Sequence, residues 1–219
     1  MDETKNSNFR RFLLLWTGQL ISAIGGGLTS FGLGVYVFEK TGSAAGMALV
    51  TLLGFLPTLL LSVPAGVLAD RFDRRLLMMI GDGLSGLGVL YILICMIYGE
   101  ASLAQICIGV FLSAVFSSLL DPAYKATVSD LLTEDEYSKA SGLVSLAGSA
   151  RYLISPVLAG ILLSVSDVKL LLVIDICTFI LTVLSTFAVK RGIKIQKLME
   201  EALSFMDCLK EGWHAVRQS

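Results

Sequence analysis

At 219 residues and 23.5 kDa, with 55% hydrophobic side chains, only 16% charged ones and a mean hydropathy of +0.78, the chain is far more apolar than a soluble domain of its size. Soluble domains carry roughly 25% charged residues, so a water-soluble enzyme or nucleic-acid binder is excluded and a polytopic membrane protein remains. The 17 basic and 18 acidic residues nearly cancel, and the information lies in where they fall.

The chain opens with Met1 to Asn8, which lacks a basic stretch leading into a short apolar run and a cleavage site, so the first apolar segment is expected to stay in the protein. A helix needs about 20 apolar residues to cross the hydrocarbon with its backbone polar groups satisfied internally. Six stretches meet that length, at about 12–38, 41–69, 76–99, 101–120, 140–166 and 170–189. The third, fifth and sixth each contain one charge, Asp82, Arg151 and Asp175. An all-α bundle of six transmembrane helices over residues 1–190 is therefore expected. Glycines at 25–27, 32, 34, 42, 46, 81, 83, 86 and 88 would let its helices approach closely, and Pro57, Pro64 and Pro156 are expected to kink two of them.

Charges between the spans set the orientation. Lys40 and Lys169 fall on one side, Arg151 lies in the membrane, and every other basic residue falls on the opposite side. By the positive-inside rule both termini are expected to be cytoplasmic, in a multi-pass protein of the cell membrane. Residues 191–219 mix charges with Leu198, Leu203, Phe205, Met206, Leu209, Trp213 and Val216 at helical spacing, which predicts an amphipathic cytoplasmic linker. No Gly or Pro stop ends it, and the native chain is expected to continue past Ser219.

Chemistry-bearing patterns are few. Cys95, Cys107, Cys177 and Cys208 have no metal-ligand spacing and read as reduced and structural. His214 is the only histidine, so neither a metal site nor a Ser-His-Asp arrangement can be assembled, and no phosphate-binding Gly-rich loop points to a nucleotide-driven pump. No cofactor, enzymatic activity or nucleic-acid partner is expected, and the energy source must be an ion gradient or that of the substrate.

Gly66, Asp70, Arg71, Arg74 and Arg75 form a charged turn after the second span. A positive anchor explains the arginines but not Gly66 or Asp70. The pattern resembles motif A of the major facilitator superfamily of transporters. In that family the Asp is understood to pair with the basic residues and a neighbouring helix end, as a cytoplasmic latch that breaks during transport. Asp73 stands where many members have Gly, which bears on the tightness of the turn.

Gly142, Ser155, Pro156, Ala159 and Gly160 resemble motif C, the Gly-Pro pattern associated with antiporters, with Ser155, Ala159 and Arg151 at Gly positions. Short matches point to the drug and siderophore exporters that include macrolide-efflux-type proteins. They comprise Gly18 to Ser22, Thr41 to Ala44, Leu56-Pro57, Asp121 to Ala126 with Asp130-Leu131, and Ile174-Asp175 with Phe179. The resemblance implies the N-terminal half of a twelve-helix carrier. Its partners would be the bilayer, a small-molecule substrate, and the missing C-terminal half or a second copy of the chain.

An intramembrane charge costs about 2.5 to 3.5 kcal/mol at a helix centre on insertion scales, so each needs a reason. Helical rise places Arg151 roughly 15 Å and Asp175 roughly 20 Å from the cytoplasmic end of their spans. The two are expected to pair or to share a water-filled cavity. Asp175 is then either a proton-coupling carboxylate, with Arg151 tuning it or holding an anionic substrate group, or part of a static ion pair or a bond to neighbouring backbone. Asp82 is either a second carrier or a hydrogen-bonding group near the motif A turn. Gln19, Ser22, Thr29, Tyr36, Gln105, Ser113 and Ser117 are expected to line a substrate cavity on the first and fourth spans. Proton-coupled efflux of a small amphipathic compound such as an antibiotic is the expected function. A nutrient importer and a non-transporting half that acts as an assembly partner or remnant are the rivals.

Overall fold

The computed structural model describes residues 2–190; the expected linker at 191–219, with Cys208 and His214, lies outside the described residues. Among the described residues seven helices follow one another: α1 (Asp2–Thr41), α2 (Ala44–Arg71), α3 (Arg74–Tyr98), α4 (Leu103–Ser117), α5 (Leu120–Leu131), α6 (Glu134–Val165) and α7 (Val168–Lys190). They form six spans of membrane length, because α4 and α5 together make one, Leu103–Leu131.

The connections are short and chemically specified. Gly42 stands at φ +64, where a Cβ would strain the backbone, and its N–H donates to the Phe38 carbonyl to close α1. Ser43 then caps α2 by accepting from the Gly46 N–H. Capping boxes open α4, from Ser102 and Gln105, and α6, from Thr133 and Glu136.

The helices outrun the apolar stretches on the side of the α2–α3 turn. The fourth span was expected over 101–120. Instead α5 carries helix to Leu131 and α6 begins at Glu134 rather than 140. Pro122 falls in the first turn of α5, where its missing N–H has no intrahelical acceptor to lose. Ala123, Tyr124, Thr127, Val128 and Leu131 are buried at helical spacing, so α5 is an amphipathic extension held by packing. The helices α2 and α6 continue through Pro57, Pro64 and Pro156.

Within the bundle α1 is central and packs on α7, α6 and α2, while α3 packs on α4, α7 and α5. Two apolar clusters occupy the ends. One gathers Phe12, Leu15, Met78, Tyr124 and Val128 near the α2–α3 turn; the other gathers Leu33, Val37, Ile92, Ile106 and Leu172 at the far end. Between them lies a buried polar layer with Ser22, Asp82, Ser85, Ser155, Asp175 and Thr178. Exposed apolar faces include those of α2, with Phe55, Leu59 and Leu60, of α3, with Leu87, Ile94 and Ile97, and of α6, with Tyr152, Leu153 and Val157.

Candidate functional site

The α2–α3 turn is built around Arg74. Its Nε donates to the Ala69 carbonyl at 3.2 Å and its Nη1 to the Ala126 carbonyl at 3.0 Å and to Asp130 Oδ2 at 2.6 Å. One planar fork thus ties the end of α2, the start of α3 and the face of α5, a geometry that a lysine cannot reproduce. It also places a cation at an unsatisfied carbonyl of the α2 C-terminus, where the helix dipole favours positive charge.

Asp70, expected to anchor this latch, is exposed and only 3.8 Å from Arg74 Nη2; Asp130 is the tighter partner. The reason is geometric: Asp70 sits one residue before the end of α2 and faces water, whereas Asp130 lies across from the guanidinium on α5. Asp73 explains its own departure from Gly. It stands at φ −58, which needs no glycine, and its carboxylate accepts from the Arg75 N–H at 3.0 Å to cap α3. Arg75 is buried, with Asp73, Asp130 and Arg11 as charged neighbours, and Arg71 is engaged as well. Gly66 has no neighbour within 4 Å of where a Cβ would stand.

The second assembly is a seam between α1 and α7. Gly18, Gly25 and Gly32 recur every seven residues on α1 and meet every second turn of α7 in antiparallel register. A Cβ on Gly18 would stand 3.2 Å from Ser185 Cβ, one on Gly25 2.4 Å from Thr178 Oγ1 and 2.8 Å from Asp175 Oδ1, and one on Gly32 2.7 Å from Leu171 Cδ2. On the neighbouring face a Cβ on Gly27 would stand 2.3 Å from Ser155 Oγ, which donates to the Ile24 carbonyl at 3.1 Å. Ser155 of the motif C pattern is therefore an α1–α6 tie. Ala159 is fully buried, Pro156 half-buried, and Gly142 and Gly160 lie on the exposed face of α6.

Asp175 is 1% exposed. Thr178 Oγ1 lies 3.4 Å from its Oδ1, the Thr29 hydroxyl faces it from α1, and its Oδ2 has no hydrogen-bond partner. Arg151 acts on it through space from α6, but no ion pair joins them: the guanidinium is exposed and lies 3.9 Å from where a Gly26 Cβ would stand. The glycine face of α1 separates the two charges that were expected to pair. Asp82, 2% exposed with an unpartnered Oδ2, interacts electrostatically with Asp175 from α3. It is buried in the bundle, and no hydrogen bond links it to the motif A turn.

The expected substrate-cavity residues do not share one cavity. Gln19, Ser22 and Thr29 lie along the α1 side of the polar layer. Tyr36 lines a cavity of about 390 Å³ at the far end with Glu39, Lys40, Glu100 and Asp167, where Lys40 pairs with Glu100. Gln105 is consumed by the cap of α4, its Oε1 accepting from the Ser102 N–H at 2.9 Å. Ser113 and Ser117 bond the Ser85 hydroxyl at 2.7 and 2.8 Å, where Gly88 and Gly109 let α3 and α4 touch. Helix–helix contact claims these hydroxyls because in lipid they must find a partner inside the protein.

The comparisons agree with this architecture. A family described as transmembrane secretion effector matches residues 6–219. Macrolide efflux protein A of Streptococcus pyogenes is 28% identical over 219 residues, covering 98% of this chain and 53% of that protein. The Staphyloferrin A transporter of Staphylococcus aureus is 28% identical over 204 residues, 92% of this chain and 48% of its own length. The crystal structure of a bacterial homologue of the iron transporter ferroportin, in an outward-facing state, superimposes with a TM-score of 0.70. It does so at 19% identity, over 89% of this chain and 52% of that one, and it shares the fold. The chain spans about half the length of the curated relatives it matches. With six membrane-length helices among the described residues and a family match over nearly its whole length, the chain belongs to the transmembrane secretion effector family of major facilitator transporters, which are carriers and not enzymes.

Proposed function

We propose that this chain is the N-terminal half of a proton-coupled exporter of small amphipathic compounds, such as antibiotics, that works by alternating access. The observation that carries the reading is Asp175. A carboxylate held in the membrane interior beside a glycine, without an ion pair and with one oxygen unpartnered, is costly as a static charge and suited to taking up and releasing a proton. Efflux is favoured over import by the relatives called Macrolide efflux protein A and Enterobactin exporter EntS. Alternating access requires a second six-helix half, supplied by the same polypeptide or a second copy, and the exposed apolar faces of α2 and α6 are where this half would meet it. The α2–α3 corner and the C-terminal end of α7 share one side of the bundle, and the excess of basic residues there supports a cytoplasmic placement.

The test is drug accumulation in cells that express the native gene product, with and without an uncoupler. Accumulation of a macrolide rises when the uncoupler is added to wild type and is already high in Asp175→Asn. Undiminished uncoupler-sensitive efflux in Asp175→Asn rejects the proton role.

A further inference from the structure

The polar layer holds more than one carboxylate, and its members are in line. On α7, Asp175, Thr178, Thr182 and Thr186 recur at helical spacing on one face, and all four are at least nine-tenths buried. The face runs from the middle of the span toward the end shared with the α2–α3 corner, over about 16 Å at helical rise. The Thr178 hydroxyl donates to the Asp175 carbonyl at 2.7 Å and that of Thr182 to the Thr178 carbonyl at 2.8 Å, so the oxygen lone pairs remain for a further donor. Thr182 Oγ1 also lies 3.4 Å from the Gly18 carbonyl of α1.

The lower part of this line meets two other helices. The glycine register that sets Gly18 against Thr182 and Ser185 brings Gln19 of α1 to the same level. On α3, a Cβ on Gly86 would stand 3.4 Å from Phe179, and Asp82 is one turn nearer the α2–α3 corner on the same face. In an antiparallel pair that turn is level with Thr182 and Thr186. Three oxygens here, Gln19 Oε1, Asp82 Oδ2 and Thr186 Oγ1, are buried and lack a hydrogen-bond partner. Orphaned polar atoms at membrane depth call for water or protons, because the lipid offers no alternative partner.

We propose that the α1–α3–α7 junction is a hydrated proton track that connects Asp175 through Thr178 and Thr182 to Asp82, Gln19 and Thr186 and onward to the α2–α3 end of the bundle. Successive threonine hydroxyls about 6 Å apart are too distant to bond one another, and a single bridging water closes each gap. Each transfer is balanced: a water or hydroxyl accepts a proton on one side and gives up its own on the other. The charged and titratable groups around the track are the two carboxylates themselves, Arg151 from α6, acting on Asp175, and, at the α2–α3 end, the buried Arg75 of α3 with Arg11 of α1 and Asp130 of α5 as its charged neighbours; Tyr124 of α5, with an unpartnered hydroxyl, is buried in the apolar cluster at that end. On α4, Cys107 packs in the far apolar cluster, away from the track. The proposal rests on the proton role of Asp175 and adds the route by which that proton leaves.

The test is a pH jump on the detergent-solubilised native gene product, read by time-resolved infrared absorption of the Asp175 carboxyl, which Asp175→Asn identifies by removing it. Thr182→Val and Thr186→Val keep the side-chain shape and delete the hydroxyl. Each slows the appearance of the carboxyl signal at least about tenfold without moving its equilibrium midpoint, and Thr182→Ser restores the wild-type rate. Unchanged rates in both valine variants overturn the track while leaving Asp175 as the coupling group. Uncoupler-sensitive efflux that survives Asp175→Asn overturns the coupling reading instead. A carboxyl signal that follows sodium concentration at fixed pH replaces the proton by a metal cation and overturns the proposal.

Discussion

The α2–α3 corner and the α1–α7 seam both gather charge inside one bundle, yet they treat it in opposite ways. At the corner Arg74 meets two backbone carbonyls and a carboxylate, and Asp73 caps a helix. Asp175 in the seam, and Asp82 interacting with it from α3, are buried more deeply, and each keeps one oxygen without a partner. Satisfied groups make a clamp with one geometry, whereas unsatisfied ones leave work for a mobile partner. The corner has its hydrogen bonds made, whereas the seam keeps acceptor capacity to spare, which is what the proposed proton role uses.

The comparison can be broken most severely at Asp175. Asp175→Asn is expected to lower proton-driven transport about 100-fold or more, the scale of a lost proton-transfer group, while the folded yield stays near wild type. A collapse of yield would make the seam as structural as the corner. Gly25→Val tests packing in the same place. Its branched side chain meets Thr178 and Asp175 where even a Cβ is too close, and the overpacking costs about 1 to 3 kcal/mol, read as a lower unfolding midpoint in detergent.

Arg74→Lys probes the corner. A point charge cannot hold Ala69, Ala126 and Asp130 together, and about 1 to 3 kcal/mol of stability is expected to go with the fork. The change should slow substrate turnover but leave its uncoupler sensitivity intact. Loss of that sensitivity would move coupling out of the seam. Lys125→Ala sets the floor, since its pairing with Asp121 is exposed, and less than about 0.5 kcal/mol is expected by thermal unfolding.

What the sequence made legible follows from what hydropathy senses. The six spans were readable because each is a run of side chains that lipid accepts, and the corner because five charges crowd into one turn. The extension α5 was not readable: its five buried residues lie among Asp121, Lys125 and Asp130, and their stripe is too narrow to raise the mean hydropathy. Asp130 is visible only as part of a short family match, and nothing local announces that a guanidinium 56 positions earlier will reach it. Gln105 and Ser113 carry the chemistry of a binding cavity, but a cap and a helix crossing had first claim on them. The threonine line on α7 does have a signal, a polar residue every third or fourth position inside an otherwise apolar span, and that periodicity would have found it.

The seven-residue recurrence of Gly18, Gly25 and Gly32 has a mechanical meaning. Seven residues are close to two helical turns, so the same face of α1 returns to α7 every second turn and the two backbones stay in close apposition. Sliding one past the other by a single turn would drive Thr178 or Leu171 into a ridge instead of a notch. The notches of α1 and the side chains of α7 fit in one register, so the pair is geared against sliding.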